Sequence, residues 1–203
     1  MRNETNTTRY ITVTAMLSAI AVILMFLDFP VPFMPSFIEM DISELPALIG
    51  SFAMGPGCGV LICLIKNLLH LTISSTGGIG ELSNFVLGTL FVLPAGLIYK
   101  HKKNKKNAVI GSVVGAALMA VGSVFSNYFV MYPFYYNFMP EDTIIAAYNA
   151  ILQVVSPNAE ITSILPCLIG FNMPFTFIKG MLSVAITLLV YKHISPILKG
   201  RNN

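Results

Sequence analysis

The residues of this chain most able to do chemistry are a lysine and several amides set among apolar residues: Lys179, Asn127 and Asn84, with Thr176 and Glu81 beside them. A charge or an amide in lipid is costly unless it is paired or lines a cavity, so each such group marks a functional site by default. Lys179 follows Pro174 by five positions, and proline suits the first position of a helix, which would place Thr176 and Lys179 in its first turn and a half. Asn127 lies about one turn inside the end of another apolar run, and Glu81 with Asn84 opens a third. At about 1.5 Å of rise per residue these groups share one depth just below a membrane surface and can converge on one small ligand. Their chemistry is recognition. An asparagine amide reads an edge that alternates acceptor and donor, and a lysine donates to a carbonyl or hydroxyl.

Several neighbours keep two readings. Phe125, Tyr128, Phe129, Phe134, Tyr135 and Tyr136, with Phe175 and Phe177, gather beside the set and either wall the ligand or form an interfacial belt. Lys179 either meets the ligand or snorkels, and its depth makes snorkelling awkward. Lys66 and His70 are i, i+4 and share a helix face, where they bond an acid on a neighbouring span or meet substrate. His70 has no second histidine or cysteine at ligand spacing, so no metal site is expected. The run Ser74-Ser-Thr-Gly-Gly-Ile-Gly80 lacks the lysine and hydroxyl of a phosphate loop and is read as backbone donors and acceptors offered to a ligand.

The elements that must hold these residues are membrane spans. Of the chain, 55% is hydrophobic and 10% charged, against about 25% charged in a soluble domain. Six apolar stretches are read as spans: 10–27, 45–54, 57–73, 81–99, 109–131 and 174–192, the second being short. The expected architecture is therefore all-α, a single membrane-embedded domain over 1–203, with no cleaved signal peptide. Lys100-His-Lys-Lys-Asn-Lys-Lys lies between the fourth and fifth spans, and basic residues flank both termini. This charge pattern places the termini and that loop in the cytoplasm of a multi-pass cell-membrane protein. The net charge of +3 therefore signals orientation, not nucleic acid. Cys58, Cys63 and Cys167 have no metal-ligand spacing and are read as small core residues.

Two outer loops stand out. Phe29-Pro-Val-Pro-Phe-Met-Pro, followed by Glu39, Asp41 and Glu44, is too proline-rich for a helix and too apolar for a solvated loop. It reads as a stiff, extended lid over an amphipathic ligand, or else as a packed connector. The last outer loop, 132–173, is expected to carry a surface helix over 141–155, with acids in its first turn. Span one offers a small-residue face at Ala15 and Ala19 for a membrane partner. No nucleotide-binding loop is present in the sequence, so ATP-driven transport would need a motor on another chain.

Taken together, the lid, Asp41-Ile-Ser-Glu-Leu-Pro-Ala-Leu, Lys66-Asn-Leu-Leu-His, Gly80-Glu-Leu-Ser-Asn-Phe, Ser126-Asn-Tyr and Pro174-Phe-Thr-Phe-Ile-Lys-Gly resemble the substrate-binding S components of energy-coupling factor (ECF) transporters, and among them the riboflavin-specific members. The resemblance spans essentially the whole chain. It implies a vitamin binder with its site near the outer surface, and riboflavin as transported substrate with no cofactor. It further implies a transmembrane coupling (T) subunit and two cytosolic ATPase subunits as partners, Ala15 and Ala19 as the docking face, and no enzyme activity in this chain. Asn127 and Lys179 match flavin-contacting positions. Thr176, Asn84 and Glu81 complete the helical part of the expected substrate set, and Ile79, Met40 and Asp41 its loop and lid part. Thr176 stands where the family often has asparagine, and Asn172 is a candidate to replace it. The rivals are an S component for another vitamin or a flavin nucleotide, a stand-alone secondary carrier, and an intramembrane enzyme. The enzyme reading lacks a nucleophile and base at reactive spacing.

Overall fold

Long apolar stretches must satisfy their backbone groups internally in lipid, and helices do so. The computed structural model describes residues 2–35, 38–74 and 76–199; Ser36 and Phe37 of the lid, Ser75 of the glycine-rich loop and Arg201 of the basic tail lie outside the described residues. The elements are α1 (Arg2–Met25), the short strands β1 (Phe29–Pro30) and β2 (Glu39–Met40), α2 (Glu44–Met54), α3 (Pro56–His70), α4 (Ile79–His101), α5 (Lys105–Ser126), α6 (Tyr132–Tyr135), α7 (Glu141–Val155), α8 (Ile164–Cys167) and α9 (Met173–Lys199). Five segments are long and apolar enough to cross a membrane: 7–25, 56–73, 79–101, 105–135 and 164–191.

The second expected span is α2, whose 11 residues at about 1.5 Å each fall well short of the ~30 Å hydrocarbon core. It is instead a central packing helix. Pro46, Ala47, Leu48 and Phe52 are buried in it, and it packs against α1, α3, α4 and α9. The approach to α3 is close enough that a Cβ on Gly59 would stand 2.8 Å from the Ala47 carbonyl oxygen. The positive φ of Gly55 turns the chain between the two helices. Short as it is, α2 carries the chain back from the lid end: Gly57 at the start of α3 lies beside Tyr10 of α1, and His70 at the end of α3 beside Phe26, so α1 and α3 run the same way. The passes α3, α4, α5 and α9 then alternate, so the Lys102–Asn104 loop and the start of α1 share one end of the bundle, opposite the lid and α7.

Two span boundaries differ from the sequence reading for one physical reason. The fifth span runs past Met131 to Tyr135, and the sixth starts at Ile164, so Pro174 is not at the first helical position. Each contains one π-helical stretch, Asn127–Met131 and Leu168–Asn172. At their ends the Tyr132 amide reaches back to the Asn127 carbonyl and the Met173 amide to the Leu168 carbonyl, five residues away. Pro133 and Pro174 come next. The helical ladder changes register just where a proline has no donor to offer, so the helix continues through it.

The lid is a hairpin. Phe29 pairs with Met40 and Pro30 with Glu39, and Phe33 takes a left-handed φ of 67° in the turn between them. Phe29 and Phe33 are exposed, whereas Met40 and Asp41 at the end of the hairpin are buried. The helix expected over 141–155 is α7, which packs Ile144 and Tyr148 into a second apolar cluster with Tyr132, Ile164 and Leu168.

Candidate functional site

At the lid end of the bundle, α4, α5, the two π stretches, α9 and the β2 edge enclose a cavity of about 290 Å³, near the lower end of small-molecule sites. Helix register brings the polar groups to it. Asn84 comes from α4, Ser123 and Asn127 stand four apart on α5 and its π extension, and Asn172, Thr176 and Lys179 follow along the last span. Among the described residues, the side chains of Asn84, Asn127 and Thr176 make no hydrogen bond to protein, so their donors and acceptors remain for a ligand. Tyr132, Tyr135, Phe175 and Leu87 supply flat or apolar wall between them.

One end of the cavity is charged. The Lys179 ammonium lies 2.7 Å from Asp41 Oδ2 and 3.7 Å from Glu44 Oε2. Glu44 Oε1 in turn meets the buried Lys66 ammonium at 3.0 Å, and Lys66 also donates to Ser43 Oγ. The Ser43 amide donates to Asp41 Oδ1 at 2.8 Å. Two ammonium groups and two carboxylates thus form one buried set joining the lid end, α2, α3 and α9. Burial pushes the Asp41 carboxyl upward, but the charges of Lys179 and Lys66 with the bonds from Lys179 and Ser43 outweigh it, and Asp41 titrates below the usual aspartate range. Of the two readings open for Lys66, the structure shows the bond to an acid on a neighbouring helix.

The amide end is held by a ring of hydrogen bonds. Tyr148 on α7 donates to Asn172 Oδ1 at 2.6 Å, and Asn172 Nδ2 donates to the Tyr132 oxygen at 3.2 Å. Tyr148 has spent its proton, so the remaining contact runs from the Tyr132 hydroxyl to the Tyr148 oxygen. This directs the second proton of Asn172 Nδ2 and the second lone pair of its oxygen elsewhere, on a residue that lines the cavity.

The structure brings Asn127, Lys179, Thr176, Asn84 and Asp41 of the expected substrate set to one cavity. Three others lie outside its lining. Glu81 is buried and accepts from Ser74 Oγ at 2.8 Å and Thr76 Oγ1 at 3.2 Å, with His70 Nδ1 at 2.8 Å, which ties down the loop before α4. Ile79 packs on the second apolar cluster, and Met40 is buried in β2. Sequence reasoning passed over Ser123 and Tyr132 as lining residues. The four-residue step from Ser123 to Asn127 is a usable signal; Tyr132 has none, because hydropathy ends its span at Met131. Ala15 and Ala19 are on the exposed face of α1. Among the described residues, no group of three or more metal-ligating side chains occurs.

Residues 9–191 match the family model for the substrate-specific component of ECF transporters. The chain is 32% identical over 192 residues to the riboflavin transporter RibU of Staphylococcus aureus (strain TCH60), covering 94% of this chain and 92% of the relative. To the riboflavin transporter FmnP of Bacillus subtilis (strain 168) it is 30% identical, over 91% and 90%. It is also similar in structure to the S component of a bacterial ECF transporter, with a TM-score of 0.71 and 30% identity over 95% of this chain and 99% of that one. A match across nearly the whole chain, in sequence and in fold, shows that the protein belongs to the ECF transporter family as a substrate-specific component.

Proposed function

We propose that this chain is the riboflavin-binding subunit of an ECF vitamin transporter, taking up its ligand at the extracellular face. The observation that carries this reading is the cavity itself, whose lining joins the unengaged amides of Asn84 and Asn127 with Lys179 and the rings of Tyr132, Tyr135 and Phe175. The pyrimidine edge of isoalloxazine alternates carbonyl acceptors with an N–H donor, which an amide reads with both its groups. The dimethylbenzene end suits Tyr135 and Phe175, and the ribityl hydroxyls suit Lys179 and Thr176. The names of the relatives from Staphylococcus aureus and Bacillus subtilis support the same ligand.

Orientation follows from charge. The basic 102–106 loop and both ends of the chain lie on the cytoplasmic side, which leaves the cavity and its lid outside. The loaded subunit docks through the Ala15 and Ala19 face on a transmembrane coupling subunit, and two cytosolic ATPase subunits drive the cycle. This chain itself binds and delivers.

The test is a visible absorption spectrum of the detergent-purified protein and its Lys179→Ala variant. Flavin bands that persist through washing in the parent and fall in the variant are expected. A colourless parent that also fails to quench added riboflavin fluorescence overturns the substrate assignment. Uptake in cells lacking the ATPase partners would instead identify a stand-alone carrier.

A further inference from the structure

Glu44 does not line the cavity, yet its carboxylate lies within 3.7 Å of the only lysine among the described lining residues. One of its oxygens is taken by Lys66 at 3.0 Å. The other, Oε2, is buried and among the described residues accepts no hydrogen bond. A buried carboxylate oxygen without a partner is costly, and the donor within reach is Lys179 at 3.7 Å. Lys179 therefore has two acidic neighbours: Asp41 at the end of the lid at 2.7 Å, and Glu44 in the first turn of α2 at 3.7 Å. The remaining charged group in the lining is Glu39, another acid. Among the described residues, no surplus positive charge is left in the cavity.

We propose that Glu44 is a specificity-determining residue: with Asp41 it neutralises Lys66 and Lys179, so that the cavity takes an uncharged flavin and rejects the phosphate ester of the same flavin. The inference rests on the riboflavin reading above. When a ligand hydroxyl or carbonyl competes for the Lys179 ammonium, the bond to Asp41 yields and Glu44 Oε2 retains the charge. Lys179 keeps a proton to donate but offers a phosphate no net attraction. A phosphoryl group brings about −1.5 to −2 charge, and burying that without a surplus cation is unfavourable. Buried charges are screened little by salt, so removing one carboxylate from the set acts across a cavity of this size.

Dissociation constants for riboflavin and flavin mononucleotide are measured by quenching of flavin fluorescence, on the purified parent and on Glu44→Gln, Glu44→Asp and Asp41→Asn. The ratio of the mononucleotide constant to the riboflavin constant is expected to fall about tenfold or more in Glu44→Gln, and to stay near the parental value in Glu44→Asp, which keeps the charge. Where Glu44→Gln does not fold, Asp41→Asn removes one charge from the same set and must shift the ratio in the same direction. If these variants weaken both flavins together and leave the ratio unchanged, Glu44 only supports the fold and the inference is overturned. A parent that binds neither flavin overturns the riboflavin reading and this inference with it, whereas a parent that binds riboflavin while the variants keep its ratio overturns the inference alone.

Discussion

Tyr148 of α7 donates a 2.6 Å hydrogen bond to Asn172, whose amide belongs to the π stretch of the last span and lines the cavity. A helix outside the spans thereby orients a polar group inside the bundle. Tyr148→Phe removes the donor, leaves Asn172 Oδ1 and the Tyr132 hydroxyl each short of a partner, and is expected to cost about 1 to 3 kcal/mol of stability. Thermal unfolding in detergent measures that loss. A flavin titration of the same variant should show weaker binding, because the amide of Asn172 is free to flip.

The ion pair between Asp41 and Lys179 makes the lid end sensitive to acid. Asp41 titrates below its ordinary value in the folded chain, so its contribution is fully present above the unfolded-state value of about 3.9 and is lost as pH falls below that. The parent is expected to lose thermal stability below about pH 4 more steeply than Asp41→Asn, which has no such group to protonate. Parallel curves for the two proteins would show that the pair contributes nothing to stability.

Ala15 and Ala19 lie four apart on the exposed face of α1 and outside the cavity. Enlarging both to leucine should leave riboflavin binding in detergent unchanged, while uptake by cells carrying the whole transporter is lost. Uptake at the parental rate would mean that the partner docks on another face.

At Gly59 the backbone of α3 presses on that of α2, with the Ala47 carbonyl oxygen 2.8 Å from the place a Cβ would occupy. Backbone cannot give way as a side chain can. Gly59→Val is expected to cost upwards of about 1 to 3 kcal/mol and to reduce the yield of monodisperse protein in size-exclusion chromatography. Because α2 carries Glu44, flavin affinity should fall in whatever protein folds.

Hydropathy and turn-by-turn charge made the all-α membrane class and the helix at 141–155 legible in the sequence, because each depends on local composition alone. That Asn84, Asn127, Thr176 and Lys179 come to one level was legible for the same reason, rise per residue along a helix being constant, although Asn127 and Lys179 lie deeper in their spans than an end at Met131 and a start at Pro174 imply. What they face was not. Only the tertiary structure decided that α2 is a core helix, that the helices continue through Pro133 and Pro174 by changing register, and that Glu81 ties a loop to His70 instead of meeting the cavity. It also decided that Lys66 and Lys179, 113 positions apart in the chain, share the carboxylate of Glu44. Ion pairs and hydrogen-bond rings of this kind depend on how separate helices are rotated and pressed together. That rotation is set by packing over the whole bundle, where no short stretch of sequence records it.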